Sequence, residues 1–244
     1  MQKYKKFIGT IVFAIFTLLF AFSFEFIGYG NSAEPPSILI IVPNATDEMS
    51  IKLNLEDGEH EARVTDKVIE KYYAFYSSAM FKNTNVYSFI VSTGEDSFEV
   101  ELDKPIKNYN NVYTLDLKSH TLTEGKLLSR SVMLVSMRIV LTLVIEAAVF
   151  WSFGFRDKKS WKVFLIINFV TQGALNIWIN SFTPITSYVI FTLIFGEFFV
   201  FIAELFAFSL FCREHGRLRK ILYVSVANFA SLILGGYIIT VLPI

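Results

Sequence analysis

Four ionisable side chains lie inside long apolar runs of this sequence: Arg138, Glu146, Glu197 and Glu204. On insertion scales, a charged side chain at the centre of a bilayer costs about 2.5 to 3.5 kcal/mol, so an acid in such a run indicates pairing, ion binding or proton transfer. Two neighbouring carboxyls tend to share a proton, which suits proton relay or cation binding. Glu146 and Glu204 are therefore the first candidates for a functional role.

Amides and a hydroxyl accompany these acids at helical spacing. Two sets of three side chains, four residues apart, each share one helix face: Asn168, Gln172 and Asn176, and Arg138, Thr142 and Glu146. Because hydrocarbon offers polar groups no hydrogen bonds, we expect the polar faces of all the helices to turn toward a common interior.

The positions of these side chains along the helices predict two polar layers, counted from the cytoplasmic helix ends at about 1.5 Å per residue. The inner layer, about 10 to 16 Å deep, is the intramembrane polar cluster, which has five members: Glu146, Gln172, Glu204, Asn228 and Asn168. The outer layer contains Arg138, Asn176 and Glu197. We predict an ion pair between Arg138 and Glu197, bracketed by Asn176.

A purely structural role competes with function for these side chains. Buried amides often join helices by hydrogen bonding, and small residues let helix backbones approach. Three glycines would permit such close approach: Gly196, Gly235 and Gly236. The predicted pair of Arg138 and Glu197 suits a structural role, because each charge offsets the other. Two acids at one depth without a nearby base are costly as mere helix contacts, so we favour function for Glu146 and Glu204.

Five apolar stretches approach the roughly 20 residues that a helix needs to cross a bilayer. The first, 7–24, follows three lysines and precedes a run of small residues, which is typical of a secretory signal, although it is long for one. We therefore interpret 1–30 as a signal peptide or an N-terminal transmembrane anchor. The other four stretches are predicted transmembrane helices: 131–155, 161–182, 187–211 and 221–242.

The charges in the short connections predict the orientation of the helices. Loops 156–162 and 212–220 are rich in Lys and Arg, whereas 180–186 has neither. By the positive-inside rule, the two basic loops are cytoplasmic. The sequence therefore predicts a multi-pass plasma-membrane protein, with residues 31–129 extracytoplasmic and a four-helix transmembrane domain at 130–244.

The segment 31–129 has the composition of an acidic soluble domain, with 16 Asp and Glu against 9 Lys and Arg. Residues 49–55 alternate between apolar and polar types, and Asp57-Gly58 then suits a tight hairpin turn. About seven short strands are predicted, including six named runs: 38–42, 49–55, 68–76, 87–91, 98–102 and 112–117. The predicted fold class is an α+β membrane protein: a small extracytoplasmic antiparallel β-sandwich followed by a four-helix transmembrane bundle. We recognise no internal repeat and no coiled-coil heptad.

Composition excludes several classes of protein. The chain is 53% hydrophobic, with 26 Phe and a mean hydropathy of +0.49, which rules out an ordinary soluble or disordered chain. Its zero net charge offers no basic surface for nucleic acid. One Cys and three His leave little material for a disulfide framework or a metal site. Motifs of known hydrolases and phosphate-binding loops are absent, so we predict no catalytic residue, metal ion or cofactor, and an intramembrane enzyme is the less favoured interpretation.

The C-terminal half resembles a pattern of multi-pass membrane proteins from Gram-positive bacteria that have no assigned activity. The matching segments are Leu143-Val-Ile-Glu146, Asn168 to Asn176, Gly196-Glu197 with Glu204, Ala227-Asn228 and Gly235-Gly236. The resemblance implies an exported N-terminal segment, a compact β-domain and four helices. It implies a bacterial location and the importance of these residues, but no substrate.

The function predicted from these features is sensing or partner coupling between the extracytoplasmic β-domain and the intramembrane polar cluster. The alternative is a small-ion or proton-linked transporter or channel that uses Glu146 and Glu204. The expected surroundings are the lipid bilayer, with a membrane-protein partner or a second copy of the chain. The substrate, the partner and the oligomeric state stay open.

Overall fold

The computed structural model describes residues 37–55, 58–76, 87–94, 96–102, 111–184 and 189–243. The signal peptide or anchor predicted at 1–30 lies outside these residues. The described residues divide into two compact units. One contains the residues up to Ser131 together with Val241–Pro243, and the other contains Val132–Thr240.

The first unit contains two β-sheets. Its nine described strands are β1 Ser37–Pro43, β2 Ser50–Leu55, β3 Gly58–Glu61, β4 Arg63–Lys67, β5 Glu70–Tyr76, β6 Tyr87–Ser92, β7 Ser97–Leu102, β8 Asn111–Asp116 and β9 Thr121–Glu124. One sheet has the strand order β4-β5-β1-β8-β9, and the other has the order β3-β2-β6-β7. The α+β fold class predicted from the sequence is confirmed.

Strand β1 lies at the centre of the five-stranded sheet and is buried on both faces. It pairs antiparallel with β5, where Ile40 lies opposite Tyr73, and parallel with β8, where Ile40 lies opposite Tyr113. All other pairings are antiparallel among the described strands. The parallel pair departs from the purely antiparallel sandwich that we predicted. Parallel neighbours need a long connection, and here the strands of the second sheet lie in the chain between β1 and β8.

The two sheets share one apolar core, as expected for a sandwich. Ile38, Ile40 and Val42 of β1 pack in the same cluster as Leu53 and Phe89 of the second sheet. The rings of Phe75 and Phe89 bridge the sheets, with their centroids 5.5 Å apart. The inward faces of the central strands therefore supply the core.

A buried ion pair stabilises the same unit. Arg130 donates through Nε to Oε2 of Glu70 over 2.7 Å, and its Nη2 donates to Oε1 of Glu70 and to the Tyr72 hydroxyl. Both charged side chains are almost fully buried. A bidentate pair of this kind fixes the geometry of both partners, and removing one partner alone would leave a buried, uncompensated charge.

Four helices follow, each long and apolar enough to cross a membrane. They are α1 Leu128–Ser152, α2 Lys158–Ser181, α3 Val189–Phe211 and α4 Arg217–Val241. Asp157 forms the N-cap of α2, where its side chain accepts a hydrogen bond from the backbone N–H of Lys159. These helices support the predicted membrane location.

The loops after α1 and α3 contact each other at one end of the helices. Oε1 of Glu214 accepts hydrogen bonds from the backbone N–H groups of Arg156, at 2.6 Å, and Asp157, at 3.0 Å. Although burial alone raises the pKa of Glu214, these N–H donors hold the pKa below its ordinary value. His215 Nε2 lies 3.1 Å from the carbonyl oxygen of Gly154, which adopts a left-handed φ of 84°. The two basic loops therefore share one end of the helical unit.

Aromatic side chains close the helical unit behind these loops. Phe150 of α1 is fully buried, and its ring lies 4.2 Å from that of Phe155 and 4.9 Å from those of Phe164 and Tyr223. The next polar layer above this aromatic cluster is the intramembrane polar cluster, because Glu146 precedes Phe150 by one helical turn.

Candidate intramembrane polar site

The structure buries all five predicted members of the intramembrane polar cluster. Their exposed fractions are 0% for Glu146 and Asn168, 1% for Gln172 and Glu204, and 5% for Asn228. They come from all four helices. The apolar residues around them face outward, so the polar faces of the helices meet in the interior. The placement agrees with the common polar interior expected from the sequence.

Glu204 of α3 joins two neighbouring helices. Its Oε1 accepts a hydrogen bond of 2.8 Å from the Thr171 hydroxyl on α2. Its Oε2 accepts one of 2.6 Å from Nδ2 of Asn228 on α4. Both oxygens of this buried carboxyl therefore have a protein donor, which partly offsets the loss of its hydration.

Glu146 of α1 is less completely satisfied than Glu204. Its Oε1 accepts a hydrogen bond of 3.2 Å from Nε2 of Gln172. Its Oε2 is buried and has no hydrogen-bond partner among the described residues. The carboxyl also lies within electrostatic range of Glu204 and Glu197. Because three buried acids repel one another when ionised, this arrangement favours a proton or another cation close to them.

The two asparagines of the cluster use their amides in the same way. Nδ2 of Asn168 donates to the carbonyl oxygen of Phe164 over 2.8 Å, and Nδ2 of Asn228 donates to that of Val224 over 3.0 Å. In each case Oδ1 is buried without a hydrogen-bond partner in the part of the chain that the structure describes. The cluster thus presents several unsatisfied oxygen acceptors.

The predicted outer layer lines a small cavity. Arg138, Asn176 and Glu197 all border it, together with Gln172 and Gly235. Its volume, measured as space for the centre of a water-sized sphere, is about 20 Å³, which is enough for one water molecule. The structure thus brings the three outer residues together, and a direct ion pair between Arg138 and Glu197 stays a prediction.

Sequence reasoning missed the hydroxyl groups of the site. Thr171 donates to Glu204, and the Ser231 hydroxyl lies beside the Glu146 carboxyl. Each follows a cluster asparagine by three residues, so the same i, i+3 rule that selects one helix face would have found both. Tyr223 is a further missed neighbour, since it is fully buried and lies within electrostatic range of both acids.

Of the three glycines predicted to allow close helix approach, Gly196 has that role. A Cβ atom at Gly196 would lie 2.3 Å from Cδ1 of Leu175 on α2, whereas none at Gly235 or Gly236 would meet an atom within 4 Å. Close packing in the helical unit is therefore concentrated between α2 and α3.

The chemistry of the site is that of oxygen and amide ligands. The described residues contain no group of three or more His, Cys, Asp or Glu side chains able to hold a metal ion. Carboxyl, amide and hydroxyl oxygens suit protons and hard cations.

No known protein family, curated protein or solved structure matches this chain. What can be said of the chain therefore rests on its own architecture. The chain is an integral membrane protein with a β-domain followed by four apolar helices.

Proposed function

We propose that this protein couples its β-domain, on the extracytoplasmic side of a bacterial plasma membrane, to the intramembrane polar cluster, and so acts in sensing or in the control of a membrane partner. The observation that carries the proposal is the burial of Glu146 with one carboxyl oxygen unsatisfied. Such a group is costly in a membrane, and a side chain kept there at that cost indicates function. The resemblance to Gram-positive membrane proteins agrees with this location.

Hydrogen bonding at Glu204 provides a physical means of coupling. This side chain accepts hydrogen bonds from Thr171 on α2 and Asn228 on α4. Charge-assisted hydrogen bonds of this kind are about twice as strong as neutral ones. A change in the charge of Glu204 would therefore change how firmly α3 is held to its two neighbours, which is the response that a sensor needs.

The orientation follows from the positive-inside rule. The two basic loops share one end of the helical unit through the contacts of Glu214, as two cytoplasmic loops must. With 156–162 and 212–220 in the cytoplasm, the single crossing by α1 would put 31–129 on the extracytoplasmic side.

A second candidate function is small-ion or proton-linked transport through Glu146 and Glu204. The observation that favours it is the water-sized cavity beside Gln172 and Glu197, one layer from Glu146. Transport requires water to reach the acids from both sides, and the cavity supplies a first step on the outer side only.

The test is a comparison in cells of the wild type with Glu146→Gln/Glu204→Gln at matched expression, with Glu101→Gln on the exposed face of β7 as the control. Growth and in-cell crosslinking from the β-domain are measured together. Coupling predicts that the double variant changes both the phenotype and the crosslinked partners. Loss of the phenotype with the same partners would favour transport. An unchanged phenotype and partner pattern would contradict a functional role for the acids.

A further inference from the structure

The four helices contain the same arrangement twice. From residue 131 onward, α1 corresponds to α3 at an offset of 58 positions, and α2 corresponds to α4 at an offset of 60 positions. Four equivalent pairs carry the match: Glu146 and Glu204, Phe150 and Phe208, Asn168 and Asn228, and Thr171 and Ser231. The sequence analysis recognised no repeat, and we infer this correspondence only from the register of the buried positions.

Burial follows the same register in the two helical hairpins, which are α1 with α2 and α3 with α4. Along α1 every fourth residue is buried, and the equivalent residues of α3 are buried too: Arg138, Thr142, Glu146 and Phe150 against Gly196, Val200, Glu204 and Phe208. The second helices agree in the same way: Ser160, Phe164, Asn168 and Thr171 against Lys220, Val224, Asn228 and Ser231. A shared inward face at one register is what two copies of one hairpin would show.

Equivalent hydrogen bonds occur in the two copies. Asn168 and Asn228 each donate to the carbonyl oxygen four residues earlier. Thr171 Oγ1 donates to the carbonyl oxygen of Asn168 over 3.3 Å, and Ser231 Oγ donates to that of Asn228 over 3.2 Å. These contacts are local to each helix, so they match because the local sequences match.

The contacts between the copies are reciprocal. The hydroxyl of Thr171, from the first hairpin, donates to Glu204 of the second. The hydroxyl of Ser231, from the second hairpin, lies beside Glu146 of the first. Each hairpin therefore supplies an acid to its own half and a hydroxyl to the other. The two halves therefore exchange hydroxyl contacts at their acids.

We propose that the two hairpins together form one binding site for a single small monovalent cation, with Glu146 and Glu204 as its acids. The inference rests on the functional role proposed above for the intramembrane polar cluster and deepens it by naming the ligand class. In membrane transport proteins built from repeats, ligand sites commonly lie at the repeat interface near the middle of the bilayer.

Three buried oxygen atoms support a cation as the ligand. Oε2 of Glu146, Oδ1 of Asn168 and Oδ1 of Asn228 have no hydrogen-bond donor among the described residues. Two of these belong to the equivalent asparagines, so each hairpin contributes one amide oxygen. Oxygen ligands without nitrogen or sulfur select hard cations. One cation with one proton balances two carboxylates, whereas an anion would meet two like charges.

The outer layer does not share this symmetry. The positions equivalent to Arg138 and Asn176 are occupied by Gly196 and Gly236. The water-sized cavity lies in this outer layer, where Arg138 and Asn176 of the first hairpin and Glu197 and Gly235 of the second border it. The approach to the inner site is therefore not symmetric.

The test uses the purified full-length protein in lipid nanodiscs. Thermal unfolding is measured in LiCl, NaCl or KCl against choline chloride at constant ionic strength, because choline is too large for the site. At a cation concentration a hundredfold above Kd, we expect the melting temperature to rise by about 5 to 10 °C relative to choline, in a saturable manner.

The repeat predicts that the two hairpins contribute equally to the site, which a site without the repeat would not require. Thr171→Val and Ser231→Ala should weaken cation binding by similar factors, about tenfold or more, because each removes a hydroxyl that lies beside an acid. Glu146→Gln and Glu204→Gln should each abolish the cation-dependent shift. Ser152→Ala, which removes an exposed hydroxyl bonded to its own helix, is the matched control and should bind as the wild type does.

Two results would overturn the inference. A melting temperature that is the same in all four salts would exclude a small cation as the ligand. A large effect of Thr171→Val with none of Ser231→Ala would exclude a site shared equally by the two hairpins. Either result would leave the cellular phenotype of the double acid variant unaffected, so failure here is distinct from failure of the proposed coupling. If the Gln variants do not fold, the two hydroxyl variants still decide the question.

Discussion

The contact between Gly196 and α2 leads to a sharp prediction about packing in the membrane. In Gly196→Ala, the new methyl group would lie 2.3 Å from Cδ1 of Leu175 and 3.0 Å from Cζ3 of Trp178. Leu175 is buried against α3, so its side chain has little room to move away. Overpacking of this kind costs about 1 to 3 kcal/mol, while replacing a helical glycine by alanine gains about 1 kcal/mol. The expected net change is a loss of about 0 to 2 kcal/mol.

Gly173→Ala on α2 is the matched control, since a Cβ there would meet no atom within 4 Å. It should gain the same helix propensity without a clash. The two variants should therefore differ by about 1 to 3 kcal/mol, or about 2 to 12 °C in melting temperature for a chain of this size. The assay is thermal unfolding of both purified proteins in the same lipid. A Gly196→Ala protein that melts at or above Gly173→Ala would refute the packing argument.

Three further changes test other parts of the structure. Glu70→Gln should destabilise the unit that contains the two sheets by about 3 to 5 kcal/mol, because it leaves Arg130 buried without its counter-charge. Pulse proteolysis measures this loss of stability, and a loss under about 1 kcal/mol would contradict the argument. The hydrogen bond from Lys71 lowers the pKa of Asp47 and raises that of Lys71. Stability from Asp47 is thus present above pH 3.8 and lost on acidification, whereas that from Lys71 is lost only as pH rises past 10.5. Asp47→Asn should flatten both limbs of a pH–stability curve. Phe150→Ala should cost about 3 to 5 kcal/mol in thermal unfolding, and a cost near zero would show that the aromatic cluster is not packed.

The strands that the sequence did not reveal share a position in the fold. The six named runs correspond to β1, β2, β5, β6, β7 and β8. The three missed strands, β3, β4 and β9, all lie at sheet edges. Edge strands carry polar and charged residues that discourage pairing with other chains, so β3 reads Gly-Glu-His-Glu and shows no alternation. Hydrophobic patterning detects strands that build the core, and these edges contribute little to it.

The helices and the residues of the polar site could be predicted because lipid imposes simple rules on both. Long apolar runs identify the helices, and polar residues within them identify the inward face. The repeat could not be found in this way. Lipid-facing positions accept almost any apolar residue, so the two hairpins agree only at a few inward positions such as Asn168 and Asn228. The offset between equivalent residues also changes from 58 positions in the first helices to 60 in the second, which breaks a fixed period.

The parallel pairing of β1 and β8 also constrains the order of events during synthesis. β1 is a run of buried apolar residues, and one of its two neighbours begins at Asn111, 73 positions after its partner Ile38. A chain that emerges from its N-terminus must therefore leave one side of this strand uncovered until the domain is almost complete. α1 begins only at Leu128, so little chain separates the closing of the sheet from this helix. We expect the nascent protein to be most exposed to aggregation and proteolysis in that interval.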